Sequence, residues 1–190
     1  MATTRYFSNT YYAEGCDIAS GVVMDAAVRN IFGYQAAGDT TLRALWEFAN
    51  TDYVFPTTAQ VMTVTTASAS DANKLLKIVG LDSDYNEISE TVTLASAGDV
   101  NTTVEFYRIN DVILLTGTTN VGLITVQNTA KTVKYGGIRV GDGRNQASVY
   151  TVPRNKAFFL YRLDAFSADT TASKPAIFRN LSITKAGQKY

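Results

Sequence analysis

The chain has 190 residues, which is enough for one well-packed domain and a smaller appendage. Lys and Arg together number 17, as do Asp and Glu, so the net charge is zero, which disfavours nucleic acid or an anionic membrane as the main partner. The sequence has no His and one Cys, Cys16, so it lacks the commonest general base and metal ligand and cannot form an intrachain disulfide.

Residues 1–55 are predicted to form an N-terminal extension of irregular structure. Two of its segments could be short helices. In 17–35 the apolar residues fall near one face, and 39–48 begins with an N-cap candidate, although it is also compatible with a strand. No apolar run reaches the length of a signal-peptide core or a membrane span, so we expect a protein made in the cytoplasm without a membrane partner.

The first 35 residues are rich in aromatic side chains and are predicted to act as an assembly arm. Burying one such side chain contributes about 1.5–3 kcal/mol, so several together could hold a subunit to its neighbour. The alternative is that the segment covers an open face of its own chain. The predicted assembly contacts are Tyr6, Phe7, Tyr11, Tyr12 and Phe32.

Residues 56–190 are predicted to form a β-domain. The clearest strand is 87–94, where Ile88, Val92 and Leu94 alternate with polar residues at the period of two that is typical of a half-buried strand. The predicted strands are 60–66, 75–81, 87–94, 104–110, 112–116, 122–128, 133–140, 147–152, 157–166 and 176–184. Short strands at even spacing, with no alternating helices, predict an all-β fold, an antiparallel β-sandwich or jelly roll.

The positions that face inward in these strands define a predicted core. Its members are Leu76, Ile78, Ile88, Val92, Leu94, Val104, Phe106, Leu160 and Ile177.

Two short motifs could bind a ligand. Asp82, Asp84 and Asn86 match the first half of a calcium loop, but Glu87 stands where that loop needs Gly, so a turn between strands is favoured. The glycines at 136–137 and 141–143 look like a phosphate loop, but no Lys-hydroxyl pair or helix follows them. Bulges and a hairpin turn are the favoured interpretation, and we expect neither a metal nor a cofactor.

The densest group of carboxylates consists of Asp82, Asp84, Glu87 and Glu90. Paired carboxylates can cleave glycosidic bonds. Their place in a predicted turn and along one strand favours a solvated face instead. We therefore expect no enzymatic activity.

Three segments resemble virion structural proteins of tailed bacteriophages: 79–94, 106–110 and 149–162. In those proteins a strand pair GLDxxYNEISExVTL is followed by an FxRIN strand and then by a YTVPAGKxxYLTR strand. The resemblance extends from Lys74 to Arg179, and its three motifs keep their order and spacing. The sequence departs from the pattern at Arg154, Asn155 and Lys156, where the turn lacks its usual Gly.

The resemblance implies a non-enzymatic component of the virion and carries no catalytic residue. The favoured function is a capsid decoration (cement) protein that binds the major capsid protein on the outer shell as a homo-oligomer, with a trimer favoured. The alternatives are a tail, baseplate or fibre component, or a host-glycan-binding module with a row of exposed aromatic side chains.

Overall fold

The computed structural model describes residues 27–35, 41, 43–48, 51–158, 160 and 163–165. The chain divides into two compact units, Met1–Lys156 and Ala157–Tyr190. The strands of the described residues all lie in the first unit, between Gln60 and Ile138. The predicted strand 176–184, with Ile177, lies outside the described residues.

Within the described residues of the first unit, seven strands form two antiparallel sheets. The four-stranded sheet has the order β4-β1-β6-β7 and consists of β1 (Gln60–Thr66), β4 (Asp99–Phe106), β6 (Ile124–Asn128) and β7 (Lys134–Ile138). The three-stranded sheet has the order β3-β2-β5 and consists of β2 (Leu75–Leu81), β3 (Glu87–Thr93) and β5 (Arg108–Leu114). The predicted all-β class and antiparallel sandwich are confirmed. The jelly-roll connectivity stays a prediction.

The core is built from the inward faces of the strands in both sheets. Its fully buried side chains include Met62, Val64, Val112, Ile124, Val126 and Ile138. Of the predicted core residues, Leu76, Ile78, Val92, Leu94 and Phe106 are buried, and Ile88 and Val104 pack against them with partial burial.

The prediction that Leu160 belongs to the core is wrong. Its side chain is 50% exposed. The described residues of the predicted strand 157–166 form no strand, so the apolar alternation there has no sheet face on which to bury Leu160.

Two further strand predictions need correction. The predicted strand 104–110 covers the end of β4 and the start of β5, with a bend at Tyr107 between them. Residues 147–152 form no strand. Just before this segment, the Asn145 N–H donates to the Val112 carbonyl on β5 at 2.9 Å. Within the segment, the Ser148 N–H donates instead to the Leu45 carbonyl at 2.7 Å. Because these N–H groups bind two different partners, no regular ladder forms.

The predicted helices are absent from the described parts of their segments, 27–35 and 43–48. The second segment is fixed by tertiary contacts instead. Trp46 and Phe48 are buried, and the Trp46 indole N–H donates to the Thr51 carbonyl at 2.7 Å. Burial of both aromatic side chains outweighs the weak helical preference of the segment.

Gly80 lies at the point where β2 shifts register against β5. A Cβ there would overlap the Arg108 carbonyl and come within 2.8 Å of the Phe106 ring. We expect Gly80→Ala to lower the free energy of unfolding by about 1–3 kcal/mol, since the packed backbone of β5 would have to move. Urea unfolding measures the loss. Gly98→Ala is the matched control, because its Cβ would lie 3.5 Å from its nearest neighbour. Equal losses in both variants would contradict the argument.

Candidate functional site

The predicted assembly contacts divide between described and undescribed residues. Tyr6, Phe7, Tyr11 and Tyr12 lie outside the described residues. Phe32 is described, and its side chain is 55% exposed. Val28, Ile31 and Tyr34 in the same stretch are also exposed. We refer to residues 27–35 as the arm segment.

The backbone of the arm segment is held against its own chain. The Tyr34 N–H donates to the Gln146 carbonyl at 3.1 Å, and a Cβ on Gly33 would lie 2.6 Å from the Ser148 Cβ. At the other end, Arg29 Nη2 lies 3.4 Å from Glu87 Oε2 on β3. The segment is therefore anchored through its backbone at Tyr34, with an exposed ion pair near its other end, while apolar side chains along it stay exposed.

A groove of about 420 Å³ is lined by the arm segment, by the outer face of the three-stranded sheet and by residues 144–147. Two ion pairs line it, Arg29 with Glu87, and Arg144 with Asp111 through two bonds of 3.0 and 2.5 Å; the side chains of Lys77 and Asp142 add further charge. Tyr150 also lines it, and burial raises the pKa of the Tyr150 phenol. Aromatic and Arg side chains are enriched at protein interfaces, and both line this groove.

The predicted acidic group does not converge on one point. Glu87 pairs with Arg29, and the Asp84 side chain is exposed in the β2–β3 turn. Asp82 Oδ1 accepts the N–H groups of Asp84 and Asn86 at 2.8 and 2.9 Å. The Asn86 side-chain amide, with these backbone bonds, holds the pKa of Asp82 below its usual range. Asp82 thus closes the favoured turn.

Glu90 faces the other way and joins the two sheets. Its Oε2 accepts the Val104 N–H at 2.8 Å, and both of its oxygens lie 3.0 Å from the Thr103 nitrogen. This role was missed from the sequence. The sequence did contain one indication of this role: the alternation in β3 places Glu90 on the inward face with Ile88 and Val92, where a carboxylate needs hydrogen-bond donors.

The glycine-rich stretches have structural roles. Gly137 lies on β7, and a Cβ there would lie 2.9 Å from the Phe48 ring. The absence of a side chain at Gly137 therefore makes room for the buried ring of Phe48. Gly143 has a φ of +71°, the left-handed conformation that favours glycine, in the turn after β7. The predicted bulge agrees with a register shift between β6 and β7, and the predicted turn with the conformation of Gly143, whereas the close packing at Gly137 was not predicted.

Asp71 is a buried carboxylate that sequence reasoning missed. It accepts the Val121 and Gly122 N–H groups at 2.9 and 2.7 Å and pairs with Lys74 Nζ at 2.8 Å. Burial acts to raise its pKa, but the bonds from Lys74, Gly122 and Val121 outweigh burial and hold the pKa below its usual range. Its sequence context, Ser68-x-x-Asp71, matches a capping box, but the carboxylate bonds a distant loop instead of the Ser68 N–H.

Arg108 organises a cluster of aromatic side chains that sequence reasoning also missed. Its guanidinium carbon lies 3.9 Å from the Tyr107 ring centroid, 4.8 Å from Phe55 and 5.7 Å from Tyr85. It also donates to the Pro56 carbonyl at 3.0 Å. The cluster therefore fastens the segment before β1 to the strands of the three-stranded sheet.

Within the described ranges, no group of three or more His, Cys, Asp or Glu side chains is arranged to hold a metal ion. None of the described residues belongs to a helix long and apolar enough to cross a membrane. Comparisons with protein-family models, with curated proteins and with solved structures found no match.

Proposed function

We propose that the chain is a non-enzymatic structural component of a tailed-bacteriophage virion, and specifically a capsid decoration protein that binds the major capsid protein on the outer shell. The arm segment carries the proposal, because its backbone is anchored while Val28, Ile31 and Phe32 remain exposed. The resemblance of segments 79–94, 106–110 and 149–162 to virion proteins supplies the biological setting.

The energetics of the arm segment favour a protein partner. An exposed apolar side chain gains about 1.5–3 kcal/mol when it is fully buried. Because the backbone is already held at Tyr34, a partner that covers these side chains mainly has to restrict their own rotamers. In a symmetric homo-oligomer the same contact recurs in every subunit, and many weak contacts to a shell add up to firm attachment.

A second candidate is a host-glycan-binding module, and the groove is the observation that favours it. The groove combines the rings of Phe32 and Tyr150 with the side-chain amides of Asn30 and Gln146. Rings and amides together are suited to sugars, which stack on aromatic faces and exchange hydrogen bonds with amides. A glycan array probed with the purified chain separates this candidate from decoration, which predicts no glycan binding.

Copy number in purified particles tests the main proposal. Quantitative mass spectrometry against the major capsid protein is expected to give on the order of hundreds of copies per particle for a decoration protein. A tail, baseplate or fibre component would instead give about three, six or twelve. Absence of the chain from purified particles would contradict both locations.

The double variant Ile31→Ser/Phe32→Ser tests the role of the arm segment. Both side chains are exposed, so we expect a melting temperature close to that of the wild type and a loss of self-association and particle binding. Light scattering after size-exclusion chromatography and co-sedimentation with particles measure the two effects. Val121→Ser removes an equally exposed apolar side chain outside the arm segment and should leave assembly intact. Wild-type assembly by the double variant would overturn the arm's role.

A further inference from the structure

Three of the four sheet edges within the described residues are covered by the chain itself. On β5, the Leu114 N–H donates to the Gly143 carbonyl at 2.8 Å. On β7, the Tyr53 phenol donates to the Tyr135 carbonyl at 3.1 Å. On β4, the Glu90 carboxylate accepts two backbone N–H groups. The remaining edge belongs to β3.

β3 presents a regular row of backbone groups along this edge. Just beyond one end of β3, the Leu94 N–H donates to the Lys74 carbonyl at 2.9 Å. Just before its other end, the Asp82 N–H donates to the Asn86 carbonyl at 3.0 Å. Since hydrogen-bonded pairs alternate along an antiparallel ladder, the even-numbered residues of β3 bond to β2, and the odd-numbered residues direct their N–H and carbonyl groups away from it. The pairing with β2 has no register shift and β3 contains no Pro, so its backbone is ready to accept another strand.

The side chains of β3 suit pairing with a second copy of the same strand. An antiparallel pairing centred on Thr91 places Thr91 opposite Thr91 and Ser89 opposite Thr93 of the second copy, and hydroxyl pairs of this kind are favourable. It also places Glu90 opposite Val92. A pairing centred on Glu90 would instead bring two like charges face to face, which is unfavourable. The sequence of β3 therefore favours the register centred on Thr91 over the one centred on Glu90.

The outer face of the three-stranded sheet carries two exposed leucines at the end away from the arm segment. Val79 of β2 lines the groove beside the arm segment, and Leu75 shares its face by the alternation of the strand. The Leu115 N–H donates to the Leu75 carbonyl at 2.7 Å, and these side chains are 51% and 40% exposed. Leu75 lies opposite Thr93, whereas the arm segment contacts Glu87 at the other end of β3. Antiparallel pairing reverses one copy relative to the other, so the leucines of the second copy fall at the end of the sheet where the first copy carries its arm segment.

We propose that two copies of the chain pair antiparallel through β3 and that the arm segment of each copy covers Leu75 and Leu115 of the other. This inference rests on the assembly role proposed for the arm segment and names its occupant, a second copy of the chain. The three-stranded sheets of the two copies then form one continuous sheet across a two-fold axis. Because both copies use the same edge, the contact closes on itself and gives a dimer in place of the trimer that the resemblance favours.

Thr91→Pro tests the strand pairing in the purified full chain. The Thr91 N–H points away from β2, so proline spares the β2–β3 ladder. In the proposed dimer the substitution removes both hydrogen bonds that the facing Thr91 residues exchange, and it should raise the dissociation constant about 30-fold or more. Thr91→Val keeps the N–H and the branched side chain, so its dissociation constant should stay within about 3-fold of the wild-type value. Sedimentation equilibrium measures both, and thermal unfolding shows whether each variant is folded.

A disulfide cross-link tests the register without depending on proline at position 91. In the proposed dimer the two Thr91 Cα atoms lie about 5.5 Å apart, which a disulfide can span. In a Cys16→Ser background, Thr91→Cys should therefore give a covalent dimer on mild oxidation. Glu105→Cys, at an exposed position on the irregular β4 edge, is the matched control and should give none.

The outcomes separate this inference from the proposed function. Wild-type dimerisation by Thr91→Pro, or no covalent dimer from Thr91→Cys, would overturn pairing through β3 and leave the role of the arm segment to the Ile31→Ser/Phe32→Ser variant. A lower melting temperature of Thr91→Pro with unchanged self-association would show that another part of the same chain occupies the edge, and it would also overturn the pairing. Loss of the dimer in Thr91→Pro, together with absence of the chain from purified particles, would support the pairing and contradict the virion location.

Discussion

Asp71→Ala is expected to lower the free energy of unfolding by about 3–5 kcal/mol. The substitution leaves the buried Val121 and Gly122 N–H groups without their acceptor and removes the partner of Lys74. The Val121 and Gly122 N–H groups belong to the loop between β5 and β6, 50 and 51 residues after Asp71. The substitution therefore also removes the bonds that hold this loop to the turn after β1. Urea unfolding at neutral pH measures the effect.

The same variant should change the pH dependence of stability. Because the pKa of folded Asp71 lies below its ordinary value of 3.8, its contribution is present above that pH and is lost as the pH falls through the lower folded value. Below about pH 4 the gap between wild type and variant should therefore narrow. Asp84→Ala, at an exposed carboxylate, is the control. A loss under about 1 kcal/mol at neutral pH would show that water replaces the Asp71 bonds.

Phe106→Ala is expected to cost about 3–5 kcal/mol. The Phe106 side chain is fully buried at the end of β4, and its removal opens a cavity that the neighbouring strands can fill only in part. Thermal unfolding of the purified variant measures the loss, and a soluble but expanded protein would be its extreme form.

Leu160→Ala is the matched comparison for Phe106→Ala. Both residues belong to the predicted core, but Leu160 is half exposed, so its loss should stay below about 0.5 kcal/mol. Similar losses for the two variants would contradict the burial assigned to them. A large loss for Leu160→Ala alone would indicate that a partner or another part of the chain covers it in solution.

The strands that were predicted best have two local signals that agree on their bounds: the alternation of apolar and polar residues, and turn-forming residues at their ends. β1 and β2 were predicted with the observed bounds, and β3 ends one residue before its predicted end. The Asp82–Asn86 turn fixes the pairing of β2 with β3, so the register follows from local signals. Residues 147–152 show what alternation alone misses, because their conformation depends on contacts with residues distant in the sequence.

The candidate site could be predicted only in part for the same reason. An excess of aromatic residues near the N-terminus identified Phe32 as a contact residue, and its exposure in the structure is consistent with that role without testing it. Asp71 and Arg108 were missed because most of their partners lie far away in the sequence, Val121 and Gly122 for Asp71 and Phe55 and Pro56 for Arg108. The sequence shows where the carboxylates are along the chain. Which of them becomes buried depends on tertiary contacts, as the contact of Asp71 with the β5–β6 loop shows.

The bond between Glu90 and β4 has a consequence for the behaviour of the chain at high local concentration. The pairing of β1 with β4 shifts register near Thr103, and the Thr103 and Val104 N–H groups turn to the Glu90 carboxylate instead of a neighbouring strand. A free strand edge with unused N–H groups invites another chain to add to the sheet, and an irregular edge occupied by a charged side chain discourages it. At high local concentration, the irregular β4 edge therefore disfavours the strand-to-strand pairing between copies that leads to fibrils.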